Sequence, residues 1–412
     1  MKKTLLTLSI AAVFAVGASA AEFKAGTYTA KAPGIHGDVT VTVTFTKDKI
    51  ADVKVTHSET PGIGSKAAEL LPGRIVERQS PQVDGVTGAT ITSTAIRTAV
   101  ADTVKQAGAD PAALVPLAVK KQAKNETVDT DVVVVGGGGA GMSATIRTRM
   151  NGLNVVLVEK MPFIGGAASI SGGQVVAQGS KLQKAFGVTD DSVESMVKDF
   201  QANGHNLNDL SKLTLYAKNV GPTIDWLHDQ VGVKFIPNDL PFLAEYSHRR
   251  ALEFQGGAGT MAHHLREVIG SNGAKVLFNT RVEKLIVEDG KVTGVEAVDG
   301  NTGTKYTIRA KKTLLTTGGY GNNKNLLTDT YKNTLYYGPV SSTGDGLQMA
   351  QKLGVKTQLL EYGKRYPNGI EVAPGKAKST IYANVGAFDQ AGILVSRDGL
   401  RFVNEKASNR HI

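Results

Sequence analysis

TDVVVVGGGGAGMSATIRTRMNGLNVVLVEK, residues Thr130–Lys160, contains the strongest structural signal in the chain. Its four consecutive valines, Val132–Val135, are typical of a strand that is buried on both faces. They run directly into Gly136, Gly138 and Gly141, which are spaced as GxGxxG at the start of a helical segment. The order of strand, glycine turn and helix predicts the beginning of a βαβ unit in an α/β domain.

A second apolar strand, Val155–Val158, follows the helix and ends directly at Glu159. Glycines in such a turn let the backbone approach a pyrophosphate, and the helix N-terminus supplies free N–H groups and a partial positive charge. A carboxylate at the end of the second strand can accept the hydroxyls of a ribose. The stretch therefore predicts a dinucleotide site. A glycine-rich turn without a ligand is the alternative, but it leaves Glu159 unexplained.

Composition excludes several classes of chemistry. The chain has 412 residues, enough for about two to three domains, and it contains no cysteine. Without cysteine it holds no disulfide, iron–sulfur cluster, thiolate metal site or CxxCH haem attachment, so organic cofactors must carry any redox chemistry. The formal net charge is +10, but its Lys and Arg residues are scattered, so we expect no nucleic-acid binding. His263 and His264 are adjacent on a helical segment and point about 100° apart, so we predict no metal site.

Residues 1–20 have the pattern of a secretory signal peptide. Lys2 and Lys3 are followed by the apolar stretch Leu5–Val16 and by the small residues Ala18–Ala20. We expect cleavage there and export to the periplasm. Since the sequence contains no other stretch of about 18 uninterrupted apolar residues, we expect the mature protein to be soluble.

The next region alternates as strands and then carries a turn rich in small residues. Within Asp84–Ser93 the letters TGAT occupy Thr87–Thr90, just before a helix expected from about Ser93. Such a turn exposes backbone donors to a phosphate, and a threonine hydroxyl there can accept it. The alternative is a simple turn in which Thr92 or Ser93 caps the helix.

Residues 22–108 resemble the FMN-binding domain of electron-transfer flavoproteins, such as subunits of sodium-pumping quinone reductases. The resemblance rests on the TGAT motif and its context, and it implies FMN attached covalently to Thr90 through a phosphoester. Thr92 is the less expected acceptor. Attachment implies a flavin transferase as a partner. Residues 109–128, which contain two prolines and a Lys/Gln-rich end, are expected to be a linker.

The rest of the chain carries six longer motifs: VVVVGGGGAGMSA, VEKMPFIGGAASISGG, NTRVEKLIVEDGKVTGVEA, TTGGYGNN, STGDGLQMA and GILVSRDGLRFVNE. Together they resemble the flavoprotein subunits of fumarate reductase and succinate dehydrogenase, in their soluble periplasmic branch. The resemblance implies an α/β fold, with a Rossmann-like FAD-binding domain at 129–355 and the start of an α+β capping domain at 356–412. The small α+β FMN-binding domain precedes them. We expect the sequence to be a fragment that stops inside the capping domain.

The same resemblance assigns residues to a non-covalent FAD. They are the glycines and alanines of the turn, the carboxylate after the second strand, the small residues of the next loop and three positions further along the chain: Gly136, Gly138, Ala140, Gly141, Glu159, Ala167, Ala168, Gly172, Gly173, Val282, Gly319 and Asp345. Because the family often has Asn-Ser or Asn-Thr at positions 167–168, the alanines here would act through their backbone.

Family members reduce the activated double bond of an enoic acid. By resemblance, the flavin N5 gives hydride to the carbon β to the carboxylate, and an arginine shortly after the RFVNE motif protonates the α carbon. Here that arginine is Arg410. A fixed guanidinium can also stabilise the developing enolate through its charge. A salt bridge or a substrate clamp without proton transfer is the alternative role for Arg410.

The substrate expectation rests on departures from the fumarate reductases. Where those enzymes carry His-Pro-Thr and Thr-Glu, this chain has tyrosine-rich segments and the carboxylate of Asp389. Phenols and a carboxylate suit a cationic aromatic ring better than a second anion. The pattern resembles members that reduce urocanate to imidazole propionate, with Asp389 on the imidazolium and Tyr382 or Tyr366 along the ring. His411 is a further candidate for substrate binding, and exposed side chains are the alternative for the tyrosines and Asp389.

Two other functions stay open at this point. One is reduction of fumarate, methacrylate or another acrylate, and the other is a flavin-binding electron carrier without substrate chemistry. The resemblance also implies that electrons come from a membrane-associated cytochrome or a quinol-linked donor and pass through FMN to FAD.

Overall fold

The computed structural model describes residues 22–86, 88–117, 123–237, 240–243, 245–365, 369–373, 375–379, 392–402 and 404. The chain divides into two compact units, Met1–Glu59 with Gly64–Lys120, and Thr60–Ile63 with Lys121–Ile412. The expected signal peptide lies outside the described residues, as do the candidate substrate and proton-donor residues Tyr366, Tyr382, Asp389, Arg410 and His411. Among the described residues, no helix has both the length and the apolar character needed to cross a bilayer.

The first unit is a small antiparallel sheet with two helices. Its elements are β1 (Gly26–Pro33), β2 (Asp38–Phe45), β3 (Ile50–Thr56), α1 (Gly64–Arg78) and α2 (Thr90–Gln106). The strand order is β1-β2-β3, with α2 packed on β1 and β2 and α1 packed on β3. In β2 the residues Val39, Val41 and Val43 are fully buried and alternate with threonines, so one face of the sheet forms the core.

Helix α2 begins at Thr90, earlier than the expected start near Ser93. Its N-cap is Ala89, which offers no side-chain cap, so neither Thr92 nor Ser93 caps the helix. Their hydroxyls bond elsewhere, since Val86 N donates to Ser93 Oγ at 2.9 Å and Thr92 Oγ1 donates to a buried carboxylate. The capping alternative is therefore wrong, because both side chains face the protein interior.

The second unit is an α/β domain with further short elements. In chain order they are β4 (Asn125–Val135), α3 (Gly139–Met150), β5 (Val155–Val158), β6 (Gln174–Val176), α4 (Lys181–Ala185), α5 (Val193–Asn203), α6 (Leu210–Trp226), β7 (Ala251–Glu253), α7 (Gly257–Ser271), β8 (Lys275–Leu277), β9 (Thr280–Glu288), β10 (Lys291–Asp299), β11 (Lys305–Leu315), α8 (Asp329–Lys332), α9 (Asp345–Gln351), β12 (Ile370–Ala373) and β13 (Lys376–Lys378).

Its main sheet has the order β8-β5-β4-β11-β10-β9 in the described part of the chain. The first four of these strands are parallel to one another, and β11, β10 and β9 form an antiparallel extension. Strands β4 and β5 are joined by α3, which gives the expected βαβ unit. The α/β class and the Rossmann-like arrangement are therefore confirmed.

Both faces of this sheet are covered, as the valine run predicts. Val132 and Val134 contribute to one apolar cluster with α3 and α7, while Val133 and Val135 contribute to a second cluster with β9, β10 and α9. Strand β4 begins at Asn125, inside the segment 109–128 that the composition assigns to a linker. It is longer than expected because its first residues pair with the start of β11.

Candidate functional site

The glycine turn after β4 needs residues without a side chain at two positions, Gly136 and Gly141. Gly136 has a φ of +100°, and a Cβ there would lie 2.6 Å from the carbonyl oxygen of Thr316. A Cβ on Gly141 would lie 1.9 Å from the carbonyl oxygen of Gly136. Helix α3 follows with Gly138 as its N-cap and no side-chain cap, so its first N–H groups have no partner within the helix. These features fit the pyrophosphate of a dinucleotide.

Glu159 stands at the end of β5 beside this turn and is 7% exposed. Its Oε2 accepts a hydrogen bond from Gly137 N at 2.7 Å, and its Oε1 accepts one from Met161 N at 2.8 Å. Burial raises the pKa of Glu159, and the two backbone amides only partly oppose that shift. The carboxylate is thus fixed in orientation at the place where a ribose would follow the pyrophosphate.

A cavity of about 290 Å³ lies at the carboxyl ends of β4, β5 and β11. It is lined by nine of the residues that the resemblance assigns to FAD: Gly136, Gly138, Ala140, Glu159, Ala167, Ala168, Val282, Gly319 and Asp345. The position agrees with the rule that ligands of open α/β sheets bind beyond the carboxyl ends of the strands. The glycine turn, the fixed carboxylate and the cavity together fit an FAD molecule.

Three residues assigned to FAD do not line this cavity: Gly141, Gly172 and Gly173. Gly141 instead allows the close contact between α3 and the turn. Gly173, with a φ of +82°, packs against the start of α7, where a Cβ would lie 3.1 Å from Ala258 N. Gly141 and Gly173 therefore lie where the backbone packs too tightly for a side chain.

Asp345, the first residue of α9, is held by two cations. Its Oδ2 accepts from Lys160 Nζ at 3.0 Å, and its Oδ1 accepts from Arg281 Nη2 at 2.9 Å and from Thr343 Oγ1 at 2.8 Å. Burial opposes ionisation of Asp345, but the bonds from Lys160 and Thr343 and the charge of Arg281 outweigh it and lower its pKa. Lys160 and Arg281 were not predicted as site residues from the sequence, although Lys160 follows Glu159 and Arg281 precedes Val282 directly.

In the first unit, the two candidate acceptor threonines have opposite environments. Thr90, the first residue of α2, is exposed. Thr92 is fully buried, and its hydroxyl donates to the carboxylate of Glu59. A modifying enzyme can therefore reach Thr90 and not Thr92. Thr87, the first letter of the TGAT motif, lies outside the described residues.

A second, larger cavity in the second unit has a volume of about 760 Å³. Its walls are rich in phenols and carry three cationic side chains. No carboxylate is among the described residues that line it. The tyrosines are Tyr320, Tyr331, Tyr336, Tyr337 and Tyr362, and the cations are Lys324, Lys364 and Arg365. Tyr331 Oη donates to Gly363 O at 2.9 Å and accepts from Gly363 N at 2.8 Å, which fixes one wall. The guanidinium of Arg365 lies 6.0 Å from the centre of the Tyr331 ring.

The two cavities are lined by consecutive residues at two places. Gly319 lines the first and Tyr320 the second, and likewise Pro339 lines the first and Gly338 the second.

Within the part of the chain that the structure describes, no three His, Asp or Glu side chains are grouped so that they could hold a metal ion. His263 lies 3.4 Å from Glu267, while His264 Nε2 bonds to the carbonyl oxygen of Val231.

Comparison with known families agrees with the geometry. A family model described as an FAD binding domain matches residues 131–412, and one described as an FMN-binding domain matches residues 34–105. The first match covers more than half of the chain. The chain therefore belongs to this FAD-binding family, in the group of the fumarate reductase and succinate dehydrogenase flavoproteins.

Individual relatives are reductases. The chain is 32% identical over 398 residues to urocanate reductase of Eggerthella lenta, a match covering 94% of this chain and 65% of that protein. It is 28% identical to NADH:acrylate oxidoreductase of Vibrio harveyi, covering 94% of this chain and 45% of that protein. The open conformation of a flavocytochrome c3 fumarate reductase superimposes with a TM-score of 0.60 at 31% identity, covering 69% of this chain and 50% of that one. The chain thus spans 45% to 65% of the length of these relatives.

Proposed function

We propose that the chain is part of a flavin-dependent enzyme that reduces the activated C=C bond of an enoic acid. The observation that carries the proposal is the cavity formed by the glycine turn and Glu159, in a chain whose relatives are named as urocanate, acrylate and fumarate reductases. FAD bound there would supply the hydride for the alkene.

The chain's own residues hold the cofactor and place the proton. Backbone N–H groups at the start of α3 receive the pyrophosphate, and Glu159 accepts the ribose hydroxyls. Asp345 fixes Lys160 at the cavity wall, where its positive charge faces a polyanionic ligand. Arg410, which lies outside the described residues, donates the proton to the carbon α to the substrate carboxylate. Before that transfer, the positive charge of its guanidinium would stabilise the enolate that forms when hydride reaches the β carbon.

Urocanate is the substrate that we favour within this class. The 32% identical relative is a urocanate reductase, and the phenol-rich cavity next to the FAD cavity suits an aromatic ring that carries a carboxylate. Its cations would attract the carboxylate. In this proposal Asp389, Tyr382, Tyr366 and His411 complete the ring-binding side. Fumarate is the second candidate, since a cytochrome-linked fumarate reductase of Shewanella frigidimarina is 34% identical over 291 residues.

FMN enters this proposal as a covalent group on Thr90. The exposure of Thr90 and the burial of Thr92 support that choice of acceptor. Electrons would pass from a membrane-associated cytochrome or a quinol-linked donor to this FMN, then to FAD and the substrate. A flavin transferase would attach the FMN, and residues 1–20 would direct the chain to the periplasm, where we place the enzyme.

The substrate class is tested with the full-length protein, reduced anaerobically and mixed with urocanate, fumarate, methacrylate or acrylate. Flavin absorbance reports reoxidation. We expect urocanate to reoxidise the flavin at least about tenfold faster than the other acids, because the phenol-rich wall favours a ring. Fastest reoxidation by fumarate would transfer the assignment to the second candidate. No reoxidation by any enoate would remove the reductase function.

The proton donor is tested by Arg410→Lys. We expect turnover to fall by about 100-fold or more while FAD binding is retained, since the residue acts on the substrate and not on the cofactor. The exposed Arg309→Lys serves as the control and should leave turnover unchanged. An Arg410→Lys enzyme with full turnover would contradict the assigned role.

A further inference from the structure

Glu59 is a buried carboxylate in the FMN-binding unit that the site described above does not use. It follows β3 closely in the chain and is 4% exposed. Its Oε1 accepts hydrogen bonds from Ile35 N at 2.8 Å and His36 N at 3.1 Å, and its Oε2 accepts one from Thr92 Oγ1. One side chain thereby connects the loop after β1 with the first turn of α2.

The surroundings of Glu59 are built around the carboxylate. A Cβ on Gly34 would lie 2.3 Å from Glu59 Oε1, and a Cβ on Gly64 would lie 2.7 Å from Glu59 Cβ. Both positions therefore leave room for this side chain only because they are glycines. Burial opposes the charge, but the bonds from Thr92, His36 and Ile35 outweigh it and lower the pKa of Glu59, so it is ionised at neutral pH.

The bond to Thr92 fixes the orientation of the helix start. Residues 90 and 92 are separated by about 200° around a helix, because each residue advances about 100°. When Thr92 is turned inward onto Glu59, Thr90 must face outward, and it is exposed. Because the Thr92 hydroxyl is fully buried, it is out of reach of a flavin donor.

We infer that Glu59, acting through Thr92, is the positioning residue that selects and presents Thr90 for flavin attachment. The inference rests on the proposed covalent FMN. In the attachment step the Thr90 Oγ forms a bond to the FMN phosphorus of a donor FAD, the bond from that phosphorus to the bridging oxygen breaks, and AMP leaves. The hydroxyl proton passes to a base of the flavin transferase, and no group is oxidised or reduced.

The test uses the full chain produced together with a flavin transferase and FAD. Covalent FMN is followed over time by in-gel fluorescence, and the modified residue is identified by peptide mass spectrometry. The variants are Glu59→Gln, Thr92→Val, the double variant and Thr92→Ser, with Glu77→Gln as the matched control because Glu77 is an exposed glutamate of the same unit. Thr90→Ala tests the acceptor itself.

We expect Glu59→Gln and Thr92→Val each to slow attachment by on the order of tenfold, since a reacting group misplaced by about 1 Å loses at least that much. The double variant should be no slower than either single variant, because both remove the same bond. Thr92→Ser keeps a hydroxyl and should be modified at the same rate as the chain without substitutions, and so should Glu77→Gln. The midpoint of thermal unfolding is measured for each, so that a loss due to unfolding is recognised.

The outcomes separate this inference from the proposed function. Attachment in Thr90→Ala would remove Thr90 as the acceptor and with it the premise. If Thr90→Ala blocks attachment but Glu59→Gln reacts at the full rate, only the role of Glu59 is overturned. Attachment rates that fall only in proportion to the fraction of folded protein would show that Glu59 has a structural role alone. The same conclusion would follow if the two single losses in rate added up in the double variant. Thr92→Val, which keeps the shape of the side chain, decides the case if Glu59→Gln does not fold.

Discussion

Glu159 shows how one residue can serve both the fold and the ligand. Its two oxygens already accept bonds from Gly137 and Met161, which fix the carboxylate beside the glycine turn. Each carboxylate oxygen can accept more than one hydrogen bond, so a ribose can bind without breaking these contacts. The residue therefore carries no large reorganisation cost when the dinucleotide binds.

Replacing Glu159 by Gln should weaken FAD binding without unfolding the domain. A hydrogen bond to a charged group contributes about 1.5–3 kcal/mol, so the dissociation constant should rise by roughly 10- to 100-fold. Titration of the flavin-free protein with FAD, followed by flavin fluorescence, measures this. Glu126→Gln, an exposed change on β4, is the control and should bind FAD normally. Equal affinities for the two variants would remove Glu159 from the ribose site.

Among the elements, the turn between β4 and α3 leaves no room for a side chain at Gly141, because Gly141 lies against the carbonyl of Gly136. Gly141→Ala adds a methyl group where only 1.9 Å is available, so α3 must move away from the turn. We expect FAD affinity to fall by more than about 100-fold, because the N–H groups of α3 then miss the pyrophosphate.

The control for that variant is Gly270→Ala in α7, where a Cβ would meet nothing within 4 Å. Alanine in a helix interior is favoured over glycine by about 1 kcal/mol, so this variant should be as stable as the original chain or slightly more stable. Isothermal titration with FAD and thermal unfolding measure both effects. Normal FAD binding by Gly141→Ala would show that the close approach is not required.

A buried ion network connects the residue that precedes β7 with α5 and with the loop before α5. Arg250, whose side chain is fully buried, donates to both oxygens of Asp191 at 2.7 and 2.6 Å and also pairs with Asp199. Burial alone would favour neutral carboxyls. At Asp191 the bonds from Arg250 and Gln183 outweigh burial, and at Asp199 the bonds from Ser247 and Arg250 do so, so the pKa values of both carboxyls are lowered.

Arg250→Met should therefore destabilise the second unit by about 3–5 kcal/mol at neutral pH, because two carboxylates lose their buried partner. Since their pKa values in the fold are lowered, this stabilisation is complete above the ordinary aspartate pKa and is lost as the pH falls through the lowered values. The difference between the two proteins should shrink in that acid range. Urea unfolding at several pH values measures it.

Arg309→Met removes an exposed ion pair with Glu288 and is the matched control, with an expected cost of about 0–1 kcal/mol. A cost for Arg250→Met that is equally small, or one that grows as the pH falls, would contradict the assignment of the network.

At the scale of the whole molecule, each compact unit has a core of its own. In the first unit the core is formed by the inward face of the sheet and by apolar residues of both helices, such as Ile75 and Ile96, which are fully buried. A segment that has its own hydrophobic core can in principle fold alone.

We therefore predict that residues 22–117, produced alone, unfold in one cooperative transition with a free energy of about 5 kcal/mol or more. Val41→Asp should abolish the transition because it places a charge in the core, while Thr42→Asp on the opposite face of the same strand should preserve it. Circular dichroism during heating and urea titration measures this. A fragment without a cooperative transition would show that the first unit is not autonomous.

Much of this architecture could be predicted from local sequence. The valine run, the glycine spacing and the position of Glu159 predicted the βαβ unit, because periodicity and backbone sterics act over a few neighbouring residues. The small N-terminal unit was likewise predicted from alternating strands and the TGAT turn. The predicted start of α2 was three residues late, because the inward bonds of Thr92 and Ser93 are formed with residues outside the helix.

The sequence by itself predicted the βαβ unit and the glycine turn, since these depend on contacts between near neighbours in the chain. Its longer motifs carried the resemblance to the two flavin-binding families. Only the tertiary structure decided which side chains meet across long separations: Lys160 and Arg281 on Asp345, and Glu59 on Thr92. It also distinguished an exposed Thr90 from a buried Thr92 within one motif. The physical reason is that the burial and pairing of polar groups depend on elements that are distant in sequence. Local sequence patterns do not predict which of these elements pack together.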